Sequence, residues 1–179
     1  SIYDKRKEEV FIARDRFGEK PLYYCKNKNS FIWASELKSL SRVNEAPKLI
    51  SPTSLNLFLA LTYIPAPYTI FNDVFKLKPG HTLTVNVKTL SFQESKYWDI
   101  NLGIPVSVTN YQDAKTQLRD ILFDSVQKRM IADVPLGVFL SGGVDSTVIA
   151  AIMAKVSPKP IKTFSIGFIN PKYDESDRA

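Results

Sequence analysis

The sequence predicts a mixed α/β chain in two parts, an antiparallel sheet domain followed by the opening of a parallel α/β domain. Three observations carry that reading. Residues 1–99 hold short, aromatic-rich apolar runs parted by turn residues, the pattern of antiparallel strands. Residues 111–179 instead read helix, strand, loop, helix, strand, a βαβ unit and therefore a parallel sheet. Between them, residues 100–110 carry Gly and Pro and read as a linker.

In the first part, Ile2-Tyr3 opens in strand style. Residues 10–13 form a compact apolar run that leads into Arg14-Asp15-Arg16-Phe17-Gly18. Residues 21–25 and 31–34 are two further strand candidates, joined by Asn27-Lys28-Asn29-Ser30, which suits a hairpin turn. These three closely spaced strands are expected to share one antiparallel sheet. Ser35 to Leu40 reads as a short helix capped by Ser35. Ser51-Pro52 starts a second helix, with Ser as cap and Pro at the first helical position. Its Leu55, Phe58, Leu59 and Thr62 follow helical spacing, and Ile64-Pro65-Ala66-Pro67 ends it. After the Lys78-Pro79-Gly80 turn, residues 81–87 alternate as a strand, and 90–98 return antiparallel.

In the second part, Ala114, Leu118, Ile121, Leu122, Val126 and Met130 make one stripe of a helix of about five turns. Lys115, Arg119, Lys128 and Arg129 belong to its wet side. Residues 136–140 read as a buried strand, 141–146 as a loop, 147–155 as a helix and 161–168 as the next strand, after the break Ser157-Pro158-Lys159-Pro160.

Composition excludes several classes. There is no long uncharged apolar run of the membrane-helix kind. The net charge of +6 comes from 24 Lys and Arg mixed with 18 acids along the chain. A nucleic-acid surface needs a concentrated patch, so the excess reads as solvated surface. The single cysteine, Cys25, rules out an internal disulfide framework and fits a reducing, cytoplasmic setting. Inside a strand run, it reads as a buried structural thiol.

The stretch that carries chemistry is Leu140-Ser141-Gly142-Gly143-Val144-Asp145-Ser146. It falls between strand and helix, where open parallel sheets bind ligands. The following helix offers free amides and its positive end. Gly142 and Gly143 let the backbone approach a polyanion, and Ser141 and Ser146 add hydroxyls. Asp145 would repel a bare phosphate, so it reads as a ligand for Mg²⁺ that neutralises phosphates. No Lys follows the glycines, which excludes the Walker loop, and the dinucleotide glycine spacing is absent. The plain alternative is a glycine turn with a capped helix.

The Ser-Gly-Gly-x-Asp-Ser arrangement resembles the PP-loop of the ATP pyrophosphatases. Its flanks narrow the resemblance. Ala13-Arg14-Asp15-Arg16-Phe17-Gly18, Lys20-Pro21-Leu22-Tyr23-Tyr24 and Ala34-Ser35-Glu36-Leu37-Lys38 look like the end of the glutaminase domain of glutamine-hydrolysing asparagine synthetases. Thr69-Ile70-Phe71, Leu77-Lys78-Pro79-Gly80-His81 and Tyr97-Trp98 resemble the segment that follows in that family. Asp133-Val134-Pro135-Leu136-Gly137 leads into its PP-loop. Thr163-Phe164-Ser165-Ile166-Gly167-Phe168 and Tyr173-Asp174-Glu175 resemble its next strand and helix entry. The likeness spans the chain in the family's order.

The resemblance implies that residues 1–99 are the C-terminal portion of an Ntn-type αββα glutaminase domain and 111–179 the start of a doubly wound PP-loop domain. In that family a first-position cysteine hydrolyses glutamine. The ammonia reaches a synthetase site where ATP converts aspartate to β-aspartyl-AMP and pyrophosphate, and ammonia displaces AMP to give asparagine. It implies ATP and Mg²⁺ as cofactors, aspartate and glutamine as substrates, no nucleic-acid or membrane partner, and admits a homodimer in the full-length protein. The ATP site carries over to Leu140, whose backbone can face the adenosine, and to Ser141, Gly142, Gly143, Asp145 and Ser146. It extends to Ile166 and Gly167 where adenine would rest, although Ile166 also reads as plain core. Asp174, Glu175 and Asp177 read as helix-start acids with a nucleotide-side role as the alternative, His81 as structural, and Arg14, Asp15 and Arg16 as turn ties. The family's nucleophile and aspartate-binding residues fall outside this stretch, so the isolated segment is expected to catalyse neither half-reaction. A related amidotransferase with another carboxylate acceptor, and an RNA-modifying PP-loop enzyme, remain the rival readings.

Overall fold

The computed structural model describes residues 1–103, 108, 110–170, 172, 174 and 176. The expectations placed on Tyr173, Glu175 and Asp177, and on residues 104–107 and 109 of the linker, lie outside the described residues. The chain divides into two compact units, Ser1–Gly103 and Ile104–Ala179.

The first unit runs β1 (Ile2–Asp4), β2 (Glu9–Ala13), β3 (Tyr23–Lys26), β4 (Phe31–Ala34), α1 (Leu37–Ser41), α2 (Pro52–Leu61), β5 (Val74–Lys76), β6 (His81–Asn86) and β7 (Phe92–Lys96). Antiparallel pairing makes two sheets, ordered β1-β2-β6-β7 and β4-β3-β5. The three early strands therefore do not share one sheet, contrary to expectation. β3 and β4 form a hairpin, whereas β2 pairs with the distant β6, Ile12 opposite Leu83 and Val10 opposite Val85. The cause is burial. The apolar face of β2 and β6 needs a cover, and Tyr24, Phe31 and Leu77 supply it, so the two sheets close on a common core. Ile12, Leu77 and Leu83 are wholly inaccessible; burying each such side chain contributes about 1.5–3 kcal/mol. Tyr24 is the hub, with the rings of Phe31, Phe75 and Phe92 centred 5.7–5.8 Å away.

The other face of the three-stranded sheet is covered by α1 and the turn after it, through Cys25, Leu40, Ala46 and Val74. Cys25 is thus the buried thiol the sequence suggested, and burial pushes its pKa up. β5 was not foreseen: three residues are too short to show a period. Two helix expectations also change. α1 is capped at Glu36 rather than Ser35, with no side-chain cap bond, because the Glu36 carboxylate pairs with Lys38 at 2.6 Å. α2 starts as expected, Ser51 Oγ accepting the Ser54 amide, but ends at Leu61, before the prolines, with Thr62 in the left-handed region at φ 64°. Its buried side chain is Ser54, while Leu55, Phe58 and Leu59 are exposed.

Arg14 and Asp15 do tie a turn. The Arg14 guanidinium donates to the carbonyls of Leu77 (2.6 Å), Gly18 (2.8 Å) and Lys20 (2.9 Å). The Asp15 carboxylate accepts the amides of Glu19 and Lys20. Arg16 is exposed and makes no hydrogen bond or ion pair among the described residues, so it does not join the tie. His81 is a structural residue, its Nδ1 2.7 Å from the Pro79 carbonyl oxygen.

The second unit contains α3 (Tyr111–Arg129), β8 (Gly137–Phe139), α4 (Val144–Val156) and β9 (Lys162–Phe164). β8 and β9 pair in parallel, Gly137 opposite Lys162 and Phe139 opposite Phe164, so the βαβ unit forms as expected. Asn110 caps α3 by accepting the Asp113 amide. Of the α3 stripe, Val126 is buried with Ile152 and Met153 of α4, and Leu122 and Met130 pack beside it; Leu118 and Ile121 stay exposed. β8 is not the buried strand expected. Phe139 is 71% exposed, because the helices cover one face of this two-stranded sheet and the described residues leave the other open. β9 stops at Phe164 instead of Phe168, and α4 begins at Val144 rather than Thr147.

Candidate functional site

The loop between β8 and α4 is anchored at its strand end. The Leu140 amide donates to the Phe164 carbonyl at 2.8 Å, and the Ser165 hydroxyl donates to the Leu140 carbonyl at 2.8 Å. Leu140 therefore lines the site with its amide already engaged, leaving spare acceptor capacity on its carbonyl alone. The chain then reverses at Gly142, φ 71°, a conformation that an L residue adopts only at a cost. Gly143 is the N-cap of α4, at φ −79° and ψ 159°, with no side-chain cap bond.

With α4 starting at Val144, Asp145 and Ser146 belong to its first turn rather than to the loop. The amides of 144–146 have no acceptor within the helix, and together with the helix dipole they form an anion-accepting end. Ser146 shapes the bend. Its Oγ accepts the Ser141 amide (3.2 Å), lies 3.1 Å from the Ser141 hydroxyl and donates to the Gly143 carbonyl (3.1 Å). Thr147 Oγ1 donates to the same carbonyl at 2.8 Å. The donor set, the free amides of 144–146 beside the Ser141 hydroxyl, suits a phosphate chain; a Cβ placed on Gly143 would meet Ser141 Oγ at 3.6 Å, an ordinary contact. Asp145 is exposed at the helix start. Among the described residues no group of three His, Cys, Asp or Glu could hold a metal. A cation on Asp145 would need oxygens from bound phosphate and water, as Mg²⁺ prefers.

Beside the loop lies a cleft of about 260 Å³ lined by Leu140, Ser141 and Ile166 together with Phe139, Phe164, Ser165, Phe168 and Ser176. Ile166 is 64% exposed, so the plain-core reading of it fails. Gly167 follows outside the lining; a Cβ there would meet Asp174 Oδ1 at 3.7 Å. Asp174 caps its neighbours instead of facing the cleft alone. Ser176 and then the Phe168 amide hydrogen-bond its carboxylate and hold its pKa below the usual carboxylate value. The aromatic wall of Phe139 and Phe164, whose rings lie 6.3 Å apart, carries no signal in the sequence that marks it as part of a site. Both looked like core, and only the open sheet face makes them lining residues.

The profile of the family described as Glutamine amidotransferase domain matches residues 1–98, and that described as Asparagine synthase matches residues 117–179. A Methanocaldococcus jannaschii protein provisionally named asparagine synthetase (glutamine-hydrolyzing) 2 is 38% identical over 181 residues, covering 98% of this chain and 34% of its own length. Asparagine synthetase (glutamine-hydrolyzing) 3 of Bacillus subtilis is 31% identical, over 99% of this chain and 28% of its own length. Amidase chry2 of Gibberella zeae is 28% identical, over 86% and 22%. The chain thus spans about a third or less of the length of these relatives. With a glutamine amidotransferase match over the sandwich and an asparagine synthase match over the βαβ unit, in that order along one sequence, the chain belongs to the glutamine-hydrolysing asparagine synthetase family.

Proposed function

We propose that the second unit supplies the ATP-pyrophosphate loop of a glutamine-dependent asparagine synthetase, and that the first unit is the C-terminal part of its Ntn-type αββα glutaminase. In this reading the sheet of β8 and β9 begins a doubly wound PP-loop domain. The observation that carries it is the bend from Ser141 to Gly143, softened by Gly142 and closed by Ser146, opening straight onto the amides of α4 at the end of a parallel strand.

The chemistry follows from need. A carboxylate is a poor electrophile. An oxygen of the aspartate side chain attacks the α-phosphorus of ATP, pyrophosphate leaves, and the resulting β-aspartyl-AMP has a good leaving group. Ammonia from glutamine then attacks the acyl carbon, AMP departs, and loss of a proton gives asparagine. The amides of 144–146 and the Ser141 hydroxyl stabilise charge gathering on the departing pyrophosphate, while Ser146, its proton on the Gly143 carbonyl, holds the bend in place. Mg²⁺, held by Asp145, would supply further neutralisation of that charge. Phe139, Phe164 and Ile166 offer an apolar wall for the adenine.

The scattered Lys and Arg residues support small-molecule substrates over nucleic acid. We place the protein in the cytoplasm on its single free cysteine; no helix among the described residues is long and apolar enough to cross a membrane. The one second reading kept is an amidotransferase of this family with an acceptor carboxylate other than aspartate; the relatives include a protein named an amidase. In the full-length protein, Asp145→Ala is expected to lower ATP–pyrophosphate exchange by at least about 100-fold while glutaminase activity persists. Exchange at the normal rate would remove Asp145 from the site. Exchange in the parent protein that ignores aspartate would select the second reading. The 179-residue chain alone is expected to catalyse neither half-reaction.

A further inference from the structure

The first turn of α2 opens onto a cleft of about 350 Å³ that the proposed amidation does not use. Its wall is the segment that leads into β5. That segment is fastened to the helix start by the Ser51 amide on the Ile70 carbonyl (2.9 Å) and the Asn72 amide on the Leu49 carbonyl (2.8 Å). From inside, the buried Thr69 hydroxyl donates to the Val74 carbonyl and accepts the Phe71 amide.

Ser54 lines this cleft and is 1% exposed, yet only its amide is engaged, on Ser51 Oγ. Its hydroxyl makes no hydrogen bond among the described residues. Its donor and acceptor are therefore free for a molecule in the cleft. Two signs of charge meet at the same place. α2, ten residues long, presents its positive end, where the Thr53 amide has no acceptor within the helix. Asp73, exposed and at φ 58°, borders the cleft with a carboxylate that makes no hydrogen bond or ion pair among the described residues. A simple anion would be repelled by Asp73, and a simple cation by the helix end. A molecule carrying both charges satisfies both.

We propose that the cleft takes a small zwitterion of the α-amino acid class, its carboxylate on the first turn of α2 and the Ser54 hydroxyl, its ammonium on Asp73. The site lies wholly within the first unit and stands whether or not the loop of the second unit binds nucleotide.

The test is an amide-resolved NMR titration of the full chain with glycine, and with acetate and methylammonium as its two halves. Glycine is expected to shift the amides of Thr53, Ser54 and Asp73 saturably, with each half binding at least about tenfold more weakly. Asp73→Asn, at an exposed position, is expected to bring glycine down to the level of acetate. Ser54→Ala, its fold checked by amide dispersion, is expected to weaken glycine and acetate alike. Acetate binding as tightly as glycine, glycine affinity unchanged in Asp73→Asn, or no saturable shift at those three amides would each overturn the proposal.

Discussion

The two units bury their apolar residues to different ends. In the first, two antiparallel sheets face each other and α1 covers a third layer, so Ile12, Leu77 and Leu83 lose all contact with water. In the second, Val126, Ile152 and Met153 form a helix-side core, while Phe139, Phe164 and Ile166 stand open around the glycine bend. A closed core serves stability. An open strand end that meets a helix start leaves amides and rings to a ligand.

The widest contrast is expected from truncating one aliphatic side chain in each unit. Ile12→Ala removes packing that cannot collapse and should cost about 3–4 kcal/mol, whereas Leu118→Ala, 58% exposed on α3, should stay within about 0.5 kcal/mol. Trp33 and Trp98 both lie in the first unit, so tryptophan fluorescence in a urea titration reads that unit alone. Helical circular dichroism is weighted towards α3 and α4, the two longest helices. Equal losses in the two variants would deny the difference in burial.

Alkaline pH should separate the units next. Burial, and then the Glu94 carboxylate that accepts its hydrogen bond at 3.3 Å, push the Tyr24 phenol from 10 up to about 12. The folded state favours the protonated phenol. Its contribution is therefore complete below pH 10 and is lost as pH climbs through about 12. A rise of that size corresponds to about 2–3 kcal/mol. Lys76 acts in the opposite direction: burial, and then the nearby Arg14, lower its pKa, so stability gains as pH approaches 10.5 from below. Urea midpoints from tryptophan fluorescence between pH 10 and 12 should fall, and fall less in Tyr24→Phe. A fall of the same size in that variant would remove Tyr24 as the cause.

How much of this was legible in the sequence differs by region for a physical reason. Residues whose role is local were readable: the Ser51 cap, the Asn27 turn, the glycine bend and the parallel βαβ order all depend on near neighbours. Residues whose role depends on a distant cover were not. Nothing near β2 says that its partner is β6 rather than β3, and nothing in Phe139 says that its strand face stays open. Asp145 and Ser146 lie in α4 rather than in the loop the sequence suggests, because a helix start with glycine at its cap carries no side-chain signature. The Ser54 cleft gave no signal, since a serine three residues into a helix is ordinary until its burial is known.

Within the bend itself, the two glycines should part company. Gly142→Ala forces an L residue to φ 71° and should cost about 1–2 kcal/mol, seen in the urea midpoint of the helical signal. If the proposed nucleotide site is right, it should weaken ATP binding as well, because the turn that aims the amides is strained.

Gly143→Ala is the sharper instrument, though its effect on stability is the smallest. The residue sits at φ −79°, open to any L side chain, and the nearest atom to its added methyl would be Ser141 Oγ at 3.6 Å, an ordinary contact. Stability should therefore change by no more than about 0.5 kcal/mol. If the space beside Gly143 exists for the chain's own packing, nothing else should change. If it exists for a phosphate chain, the methyl occupies it, and ATP affinity of the full-length protein, read by fluorescence of a labelled nucleotide, should drop at least about tenfold with the urea midpoint unmoved. A stable Gly143→Ala protein that binds ATP as its parent does would leave the bend a turn between β8 and α4 and nothing more.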